Sequence, residues 1–225
     1  MLCASTCDPD RIAALGERVA ARGLRLLETP VSGASGQVSR GEGVGLIGGD
    51  PRDRIAEIEP ILRALFPTYF HIGKIGDGGR AKLAVNLILG LNRLALAEGL
   101  VFAERLGLDP EAFLKVARSS AAYSQVMDVK GAKMIRGDFA AEGRVTQHLK
   151  DVHLMLEQAE RVRPAAPAAR GPRRRARSLR AAGEGDWDNS AVIAEIRRRT
   201  SPEMPLGTRV VRTCAMKQLR RGGRP

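Results

Sequence analysis

The chain has 225 residues, of which 44% are hydrophobic, so it can form one large or two modest domains around a sizeable core. Cys3, Cys7 and Cys214 are too few and too poorly spaced for a disulfide framework or for a zinc site with paired Cys or His ligands. No signal peptide is recognisable, so a cytoplasmic location is expected. The net charge of +12 comes largely from eight arginines in residues 161–180 and nine basic residues in residues 197–225, which leaves the rest mildly acidic.

Strand and helix signals alternate over the first 75 residues. Asp8, followed by proline, predicts the cap of a helix that ends at Gly23. Asp50, also followed by proline, predicts the cap of a second helix, which Pro60 bends. The predicted strands are residues 1–6, 24–31, 44–49 and 69–73, and residues 32–43 are predicted to be a flexible glycine-rich connection. This alternation indicates an α/β layer.

Only helical signals follow. Arg80 to Leu106 predicts one long helix, apolar on nearly every face and closed by Gly107. Its polar residues favour a buried helix over a membrane span, so it is either the centre of a helical domain or part of an oligomer interface. Further helices are predicted after Asp109, over residues 122–136 and 144–160, and after a cap at Asp188 or Asn189.

Residues 161–180 interrupt this pattern. They contain eight arginines and three prolines without an amphipathic period, so we expect them not to form a regular core helix. We hypothesise that a compensated frameshift produced this segment. The final residues, 197–225, are predicted to be a disordered basic tail.

Lys82 and Asn86 interrupt an apolar segment of the long helix. Their spacing of four residues places both on one face, about one turn apart, where they can act on the same small molecule. A lysine near a helix start usually extends to water. A partly desolvated lysine instead has a lowered pKa, which suits proton transfer. Lys82 is therefore a candidate general acid/base.

Three other stretches are candidates of different strength. The loop in TPVSGASG, residues 29–36, exposes backbone N–H groups beside Ser32 and can hold a carboxylate, although an ordinary turn is the alternative. Lys150 and the adjacent Asp151 are typical of a solvated helix face. A G-x-G-x-x-G pattern occurs within residues 43–48, but it lies inside a predicted strand, so we reject it as a dinucleotide fingerprint.

Taken in order, these motifs resemble the 3-hydroxyisobutyrate dehydrogenase family of β-hydroxyacid dehydrogenases. The motifs are TPVSGASG, the glycine-rich run that ends at Lys82 with Asn86 one turn on, AEGLVFAERLGLD, HLKDVHLML and GEGDWDNSAVI. The resemblance covers about residues 4–160 and 181–196. It implies that residues 1–75 are the C-terminal part of an NAD(P)-binding Rossmann domain, and that residues 76–196 form an all-helical substrate and dimerisation domain like that of 6-phosphogluconate dehydrogenase.

The resemblance also implies roles for individual residues. Lys82 matches the catalytic lysine, and Asn86 matches the asparagine that binds substrate. Ser32, Gly33 and Ala34 match the loop that grips the substrate carboxylate, whereas Thr6 and Lys150 match positions that contact the cofactor. The implied reaction is hydride exchange between NAD or NADP and a small hydroxyacid or semialdehyde, in a homodimer or tetramer without membrane or nucleic-acid partners.

The chain also departs from the family pattern. A family member begins with a strand, a G-x-G-x-x-G turn and a helix, so this chain is expected to be truncated at its N-terminus and to bind NAD very weakly. Glu28 stands where Asp is usual. Arg144 replaces an aromatic residue, which puts the packing before Lys150 in question. The alternative function is a non-catalytic helical protein whose basic segments bind nucleic acid or acidic partners, although arginine runs without interleaved aromatic residues favour this less.

Overall fold

The computed structural model describes residues 1–49, 55–162 and 170–200. These ranges contain five short strands and nine α-helices; three of the helices lie between the strands, and the other six follow the last strand. The strands are β1 (Leu2–Cys3), β2 (Leu27–Glu28), β3 (Val31–Ser32), β4 (Val44–Gly48) and β5 (Thr68–Gly73). The helices are α1 (Pro9–Ala20), α2 (Ser35–Ser39), α3 (Glu59–Leu65), α4 (Asp77–Arg105), α5 (Pro110–Arg118), α6 (Val126–Arg136), α7 (Val145–Val162), α8 (Arg170–Ala181) and α9 (Val192–Thr200).

A mixed sheet occupies the N-terminal part of the molecule. Strand β1 runs parallel to β2, and β4 runs parallel to β5, whereas β2 and β3 both pair antiparallel with β4. The single strand predicted over residues 24–31 is therefore two short strands. Pro30 lies between them and has no N–H for the ladder, although its carbonyl accepts a hydrogen bond from Leu46.

In the α/β layer, the predicted cap of the first helix is confirmed, but one predicted connection between strands is different. Asp8 caps α1 by accepting hydrogen bonds from the amides of Asp10 and Arg11. The prediction that residues 32–43 form a flexible connection was wrong, because Ser35–Ser39 is a helical turn. The predicted cap at Asp50 lies outside the described residues. The prediction that residues 197–225 form a disordered tail was wrong for residues 197–200, which are the last turn of α9, and the rest of that segment lies outside the described residues.

Helix α4 is the centre of the C-terminal half, and it is long and apolar enough to cross a membrane by length and composition. It packs against α5, α6, α7, α8 and α9 and also contacts the sheet. Its buried residues around Leu100 form one cluster with Leu114 of α5, Met134 of α6 and Ile193 of α9. The helix is closed as predicted, since Gly107 follows its last turn with a φ of 80° that favours glycine.

The prediction that residues 161–180 cannot form a core helix was wrong for the part that the structure describes. Helix α8 buries Pro172, Ala176 and Leu179 against the rest of the domain, a spacing of three to four residues that defines one helical face. Proline is tolerated here because Pro172 is the third residue of the helix, where its missing N–H has no partner within the helix. The genetic origin of the segment stays a hypothesis.

The last helix begins with a capped turn. Asp188 accepts a hydrogen bond from the amide of Ser190, which decides between the two predicted caps. The concern about packing near Arg144 is also answered, because the exposed Arg144 precedes α7 and the next residue, Val145, is buried. Helix α7 therefore begins normally despite the arginine.

Candidate active site

A cavity of about 550 Å³ lies between the two halves of the molecule. One wall is the loop after β3, and the floor is α4. The opposite wall comes from α6, the segment before α7, and α7 itself. Ser32, Gly33, Ala34, Lys82 and Asn86 all line this cavity. The structure thus brings together residues that are separated by about fifty positions in the sequence.

Lys82 is buried, with 7% of its surface exposed, and it faces the cavity from the second turn of α4. Among the described residues, its ammonium group has no hydrogen-bond partner. Burial lowers the pKa of Lys82, the carboxylate of Asp151 raises it in part, and the guanidinium of Arg93 lowers it further. An amine with a lowered pKa beside a cavity gives up its proton more readily than an ordinary lysine, which suits proton transfer to or from a bound oxygen.

Asn86 lies one turn after Lys82 and donates a hydrogen bond from Nδ2 to Oδ2 of Asp151, at 2.9 Å. This contact fixes the orientation of the amide, because Oδ1 of Asn86 is then the atom left to accept a hydrogen bond from a ligand. Asp151 was considered in the sequence only as one half of a solvated charge pair. The structure places it instead in the cavity wall, with 15% of its side chain exposed. There it accepts the hydrogen bond from Asn86, and its charge raises the pKa of Lys82.

Lys150 and Thr6 meet on the other side of Asp151. The ammonium of Lys150 donates a hydrogen bond to the backbone oxygen of Thr6 at 3.0 Å and lies 3.3 Å from Oδ1 of Asp151. The two predicted cofactor-contacting residues are therefore neighbours, although 144 positions separate them. They flank the cavity rather than line it, and a chain of polar contacts connects them to Asn86.

The loop after β3 has fewer free amides than the sequence suggested. The N–H of Ala34 donates to Oε1 of Gln37 at 2.9 Å, so it caps α2 and is not available to a ligand. Ser32 remains available, since its hydroxyl has no hydrogen-bond partner among the described residues. Ser35 donates from Oγ to the backbone oxygen of Glu142 at 3.2 Å, which joins this loop to the opposite wall.

A charge cluster around the buried Lys130 lies at the far wall and was not identified from the sequence. The ammonium of Lys130 lies 3.0 Å from Oδ2 of Asp188 and 3.0 Å from Oε2 of Glu142. Burial alone would raise the pKa of Asp188, but hydrogen bonds from Ser190 and the charge of Lys130 lower that pKa to about 2. Asp188 had been recognised only as a helix cap, and no local pattern marks Lys130 as its partner.

Arg93 and His148 form a second feature that sequence reasoning missed. Nη2 of Arg93 lies 3.1 Å from both ring nitrogens of His148. A point in the ring plane at that distance from both nitrogens would collide with Cε1, so the guanidinium lies over the face of the imidazole. Burial and the Arg93 charge lower the pKa of His148 to about 3, so the ring is neutral at physiological pH.

Glu28 occupies the N-terminal end of α4. It is buried, and its Oε2 accepts a hydrogen bond from the amide of Gly76 at 2.7 Å. Burial raises the pKa of Glu28, while the amides of Gly76 and Gly79 oppose that effect. A Cβ at Gly79 would lie 2.8 Å from Oε1 of Glu28 and one at Gly78 would lie 2.6 Å from the carbonyl of Leu46. The glycine run before Lys82 therefore lets the sheet and a carboxylate approach the helix end.

The described residues fit the nicotinamide side of a dinucleotide better than its pyrophosphate. Lys150 and Thr6 lie beside the cavity, where the Lys150 ammonium donates a hydrogen bond to the Thr6 carbonyl. At the start of α1, however, the side chain of Asp8 already accepts the free amides that would bind an anion. Gly45 and Gly48 lie in β4, and Gly43 directly precedes it. A Cβ at Gly45 would lie 2.9 Å from the ring of Phe66, so this glycine serves packing.

The part of the chain that the structure describes contains no group of three or more His, Cys, Asp or Glu residues that could hold a metal ion. The cavity instead offers a lysine with a lowered pKa, an amide and a hydroxyl-bearing loop. The chemistry that these groups support is proton transfer to or from a bound oxygen, together with recognition of an anion.

The N-terminal part has a mixed sheet with three α-helices, the C-terminal part is helical, and a lysine-bearing cavity lies between them, as expected for the two-domain NAD-binding class that the resemblance implies. Residues 76–196 match the family model described as "NAD-binding of NADP-dependent 3-hydroxyisobutyrate dehydrogenase", and residues 1–73 match the "NAD binding domain of 6-phosphogluconate dehydrogenase". The chain belongs to the 3-hydroxyisobutyrate dehydrogenase family. The resemblance and the fold class inferred from the sequence are thereby confirmed.

Individual relatives are about 30% identical to the chain over the aligned residues. The chain is 29% identical to glyoxylate/succinic semialdehyde reductase 2 of Arabidopsis thaliana, over 88% of the chain and 55% of that protein. It is 30% identical to 2-(hydroxymethyl)glutarate dehydrogenase of Eubacterium barkeri, over 84% of the chain and 63% of that protein. The chain thus spans less than two thirds of the length of these relatives.

A solved structure supports the same fold. The crystal structure of 3-hydroxyisobutyrate dehydrogenase from Salmonella typhimurium superposes with a TM-score of 0.79 at 25% identity. The match covers 86% of the chain and 68% of that protein. The arrangement of sheet and helices is therefore the one that the family uses.

Proposed function

We propose that the chain carries the substrate site of an NAD(P)-dependent β-hydroxyacid dehydrogenase. The reaction is hydride exchange between the nicotinamide and a small hydroxyacid or semialdehyde. The observation that carries the proposal is Lys82, a buried amine without a hydrogen-bond partner among the described residues, which faces a cavity of about 550 Å³. An ammonium is left unpaired in a protein interior only at a cost, and a substrate oxygen would supply the missing partner.

Each cavity residue then has a role in the proposal. Lys82 gives a proton to the carbonyl oxygen during reduction and removes it from the hydroxyl during oxidation. Asn86, oriented by Asp151, holds the same oxygen. Ser32 and Gly33 bind the substrate carboxylate, whereas the amide of Ala34 contributes to α2 rather than to the ligand.

The cofactor is NAD or NADP, and its nicotinamide supplies the hydride. Thr6 and Lys150 are proposed to contact it, since they lie together beside Asp151 at the edge of the cavity. Lys150 is about half exposed, so its ammonium can exchange the Thr6 carbonyl for a cofactor oxygen at little energetic cost.

The substrate class is that named for the relatives, which act on glyoxylate, succinic semialdehyde and 2-(hydroxymethyl)glutarate according to their names. We further propose a homodimer or tetramer in the cytoplasm. In support, α4 leaves large apolar side chains exposed at Ile88 and Phe102, which is typical of a helix that packs against a second copy.

The alternative, a nucleic-acid-binding helical protein, has weaker support. Several arginines of the basic segments are paired within the fold: Arg175 lies 3.1 Å from Glu195, and Arg198 lies 2.7 Å from Glu184. Such arginines do not form an unpaired basic surface for phosphates. None of the relatives' features described above favours this reading.

The test is to measure NADH and NADPH oxidation by the purified chain with a panel of small semialdehydes, together with cofactor binding by fluorescence. At cofactor concentrations high enough to offset the weak binding expected from the sequence, the proposal expects turnover of at least one semialdehyde, and still weaker cofactor binding in a Lys150→Ala variant. Cofactor binding without turnover of any panel member would count against the assigned reaction. A salt-dependent shift of nucleic acid in a gel would favour the alternative.

A further inference from the structure

The cavity contains a cation that the proposed reaction does not use and that no carboxylate among the described residues pairs with. Arg93 lines the cavity from α4, is partly buried, and lies over the ring of the neutral His148. Burial lowers the pKa of Arg93 to about 10, although the charges of Asp188 and Asp151 oppose that effect. The guanidinium is therefore still positively charged at neutral pH.

The charge of Arg93 is not matched by an ion pair. Among the described residues no carboxylate forms a salt bridge with it, and its only side-chain contact at hydrogen-bonding distance is with a neutral imidazole that it meets on the face. A partly buried cation in this state is costly unless a ligand supplies the negative charge. By contrast, Lys130 in the same cavity is paired with both Asp188 and Glu142.

Arg93 lies on the same face of α4 as the residues proposed to contact the reacting oxygen. Lys82, Asn86 and Arg93 are separated by four and seven residues, so they lie on the same face of α4. At about 1.5 Å per residue, the backbone of Arg93 is about 16 Å from that of Lys82 along the helix axis. Both side chains line one cavity, so a single elongated molecule can contact both.

A further basic group lies at the mouth of the cavity. Arg144 lines the cavity from the segment before α7, and 60% of its side chain is exposed. Among the described residues its one ion-pair partner is Asp186, at 3.8 Å, and 86% of the Asp186 side chain is exposed. Such a pair in water contributes little, so Arg144 can add attraction for an incoming anion.

We propose that the cavity binds a dicarboxylate, with Arg93 holding the carboxylate remote from the reacting carbon. This inference rests on the proposed function, because the near carboxylate and the reacting oxygen are those assigned to the loop after β3 and to Lys82. The planar guanidinium matches the geometry of a carboxylate, and its single positive charge balances the single negative charge of that group. A phosphate dianion would call for further donors than the single partly buried guanidinium provides.

His148 is the positioning residue for this second site. Its ring supports one face of the guanidinium and limits its rotamers, so Arg93 is oriented before a ligand binds. A protonated His148 would repel Arg93, and the low pKa of about 3 keeps it neutral over the physiological range.

The test compares ligands that differ only in the second charge. Glutarate and pentanoate have the same number of carbons, and one carboxylate of glutarate is replaced by a methyl group in pentanoate. Their affinities are measured by isothermal titration calorimetry in the presence of NADP⁺, for the wild type, Arg93→Gln and Arg105→Gln. Arg105 lies on the same helix and is exposed outside the cavity, so it controls for the loss of one positive charge.

We expect the wild type and Arg105→Gln to bind glutarate about 10- to 100-fold more tightly than pentanoate, since a charge-assisted hydrogen bond to a partly buried guanidinium is strong. Arg93→Gln should lose this preference and keep its affinity for pentanoate. Circular dichroism checks that the variant is folded.

Other outcomes contradict the inference. Equal affinities for the two acids in the wild type, or no binding of either, would overturn it, and so would an unchanged preference in Arg93→Gln. Tighter binding of 4-phosphonobutyrate than of glutarate would overturn the assignment to a carboxylate. If a monocarboxylate semialdehyde is reduced with NADPH while glutarate shows no preference, only the second site fails and the proposed function stands.

Discussion

Two buried lysines line the same cavity and have opposite surroundings. Lys82 is 7% exposed and has no hydrogen-bond partner among the described residues, whereas Lys130 is 5% exposed and lies 3.0 Å from two carboxylates. Lys82 follows a glycine-rich helix start beneath the sheet. Lys130 lies in the middle of α6 and bridges two segments that meet there.

This difference separates a group suited to chemistry from one suited to structure. A paired lysine holds its proton and its position, because removing either would leave a buried carboxylate uncompensated. An unpaired lysine with a lowered pKa can exchange a proton with a ligand. Both lysines are buried, so burial does not distinguish them. The presence or absence of carboxylate partners does.

The strongest test of the comparison is Lys82→Met. We expect kcat for semialdehyde reduction to fall by about 100- to 10,000-fold, the usual contribution of a general acid, with little loss of stability because an unpaired buried charge is removed. The measurement is the rate of NAD(P)H oxidation. Lys115→Met, an exposed lysine on α5, is the matched control and should keep its rate. An undiminished kcat in Lys82→Met would remove the distinction between the two lysines.

The second test addresses the structural pair. Asp188→Asn should lower the free energy of unfolding by about 3–5 kcal/mol, because the buried ammonium of Lys130 loses its buried counter-charge. Urea denaturation measures the change. Asp186→Asn, two positions away and 86% exposed, should change stability by less than about 0.5 kcal/mol. The comparison would be weakened if both variants behaved alike.

A double variant refines this test. Lys130→Met combined with Asp188→Leu should recover part of the lost stability, since apolar side chains of similar size can replace a buried ion pair. Catalysis by Lys82 should persist in any double variant that folds. A double variant as unstable as Asp188→Asn would indicate that the hydrogen bonds of Asp188 to the backbone of Glu142 and Gly143 matter more than its charge.

The third test concerns the helix start that positions Lys82. In Gly78→Ala the new Cβ would lie 2.6 Å from the carbonyl oxygen of Leu46, so we expect a loss of about 1–3 kcal/mol and a displaced Lys82 with lower kcat. In Gly99→Ala, on the same helix, the nearest side-chain atom is 3.9 Å away. That variant should gain up to about 1 kcal/mol from helix propensity. Thermal unfolding distinguishes the two, and equal effects would contradict this account of the glycines.

The smallest expected effect is a change in pH dependence. The pKa of Glu28 is raised by burial, so the folded state holds this proton to a higher pH than the unfolded state does. Its contribution to stability is therefore present below the ordinary Glu pKa of 4.5 and is lost as the pH rises through the folded pKa. Glu28→Gln should remove that loss, which unfolding curves at several pH values measure. Glu17→Gln, on the exposed side of α1, is the control.

The parts of the site that could be predicted are those with local signals. Lys82 and Asn86 are one turn apart in one helix, so their shared face follows from helix geometry. Asp8, Asp109 and Gly107 follow from capping rules, and the structure confirms them. The helix over Arg170–Ala181 was missed because arginine content and prolines hid three small or apolar residues at helical spacing.

Partners that come from distant segments could not be predicted. Arg93 contacts His148 from 55 positions away, and Lys130 contacts Asp188 from 58 positions away. No single-sequence pattern links such residues, because the contact depends on how α4, α6 and α7 pack. The hydrogen bond from the Ala34 amide to Gln37 could not be predicted either, because it depends on a helical turn that the glycine-rich sequence did not indicate.

The sequence by itself determined the order of the α/β layer and the helical part, the central apolar helix, and a lysine and an asparagine on one of its faces. These follow from short-range sterics, capping and hydrophobic periodicity, which act within a few residues. Only the tertiary structure decided which buried charges are paired. Charge compensation acts across the packed core, so it leaves Lys82 and Arg93 facing the cavity while Asp188 and Glu142 neutralise Lys130.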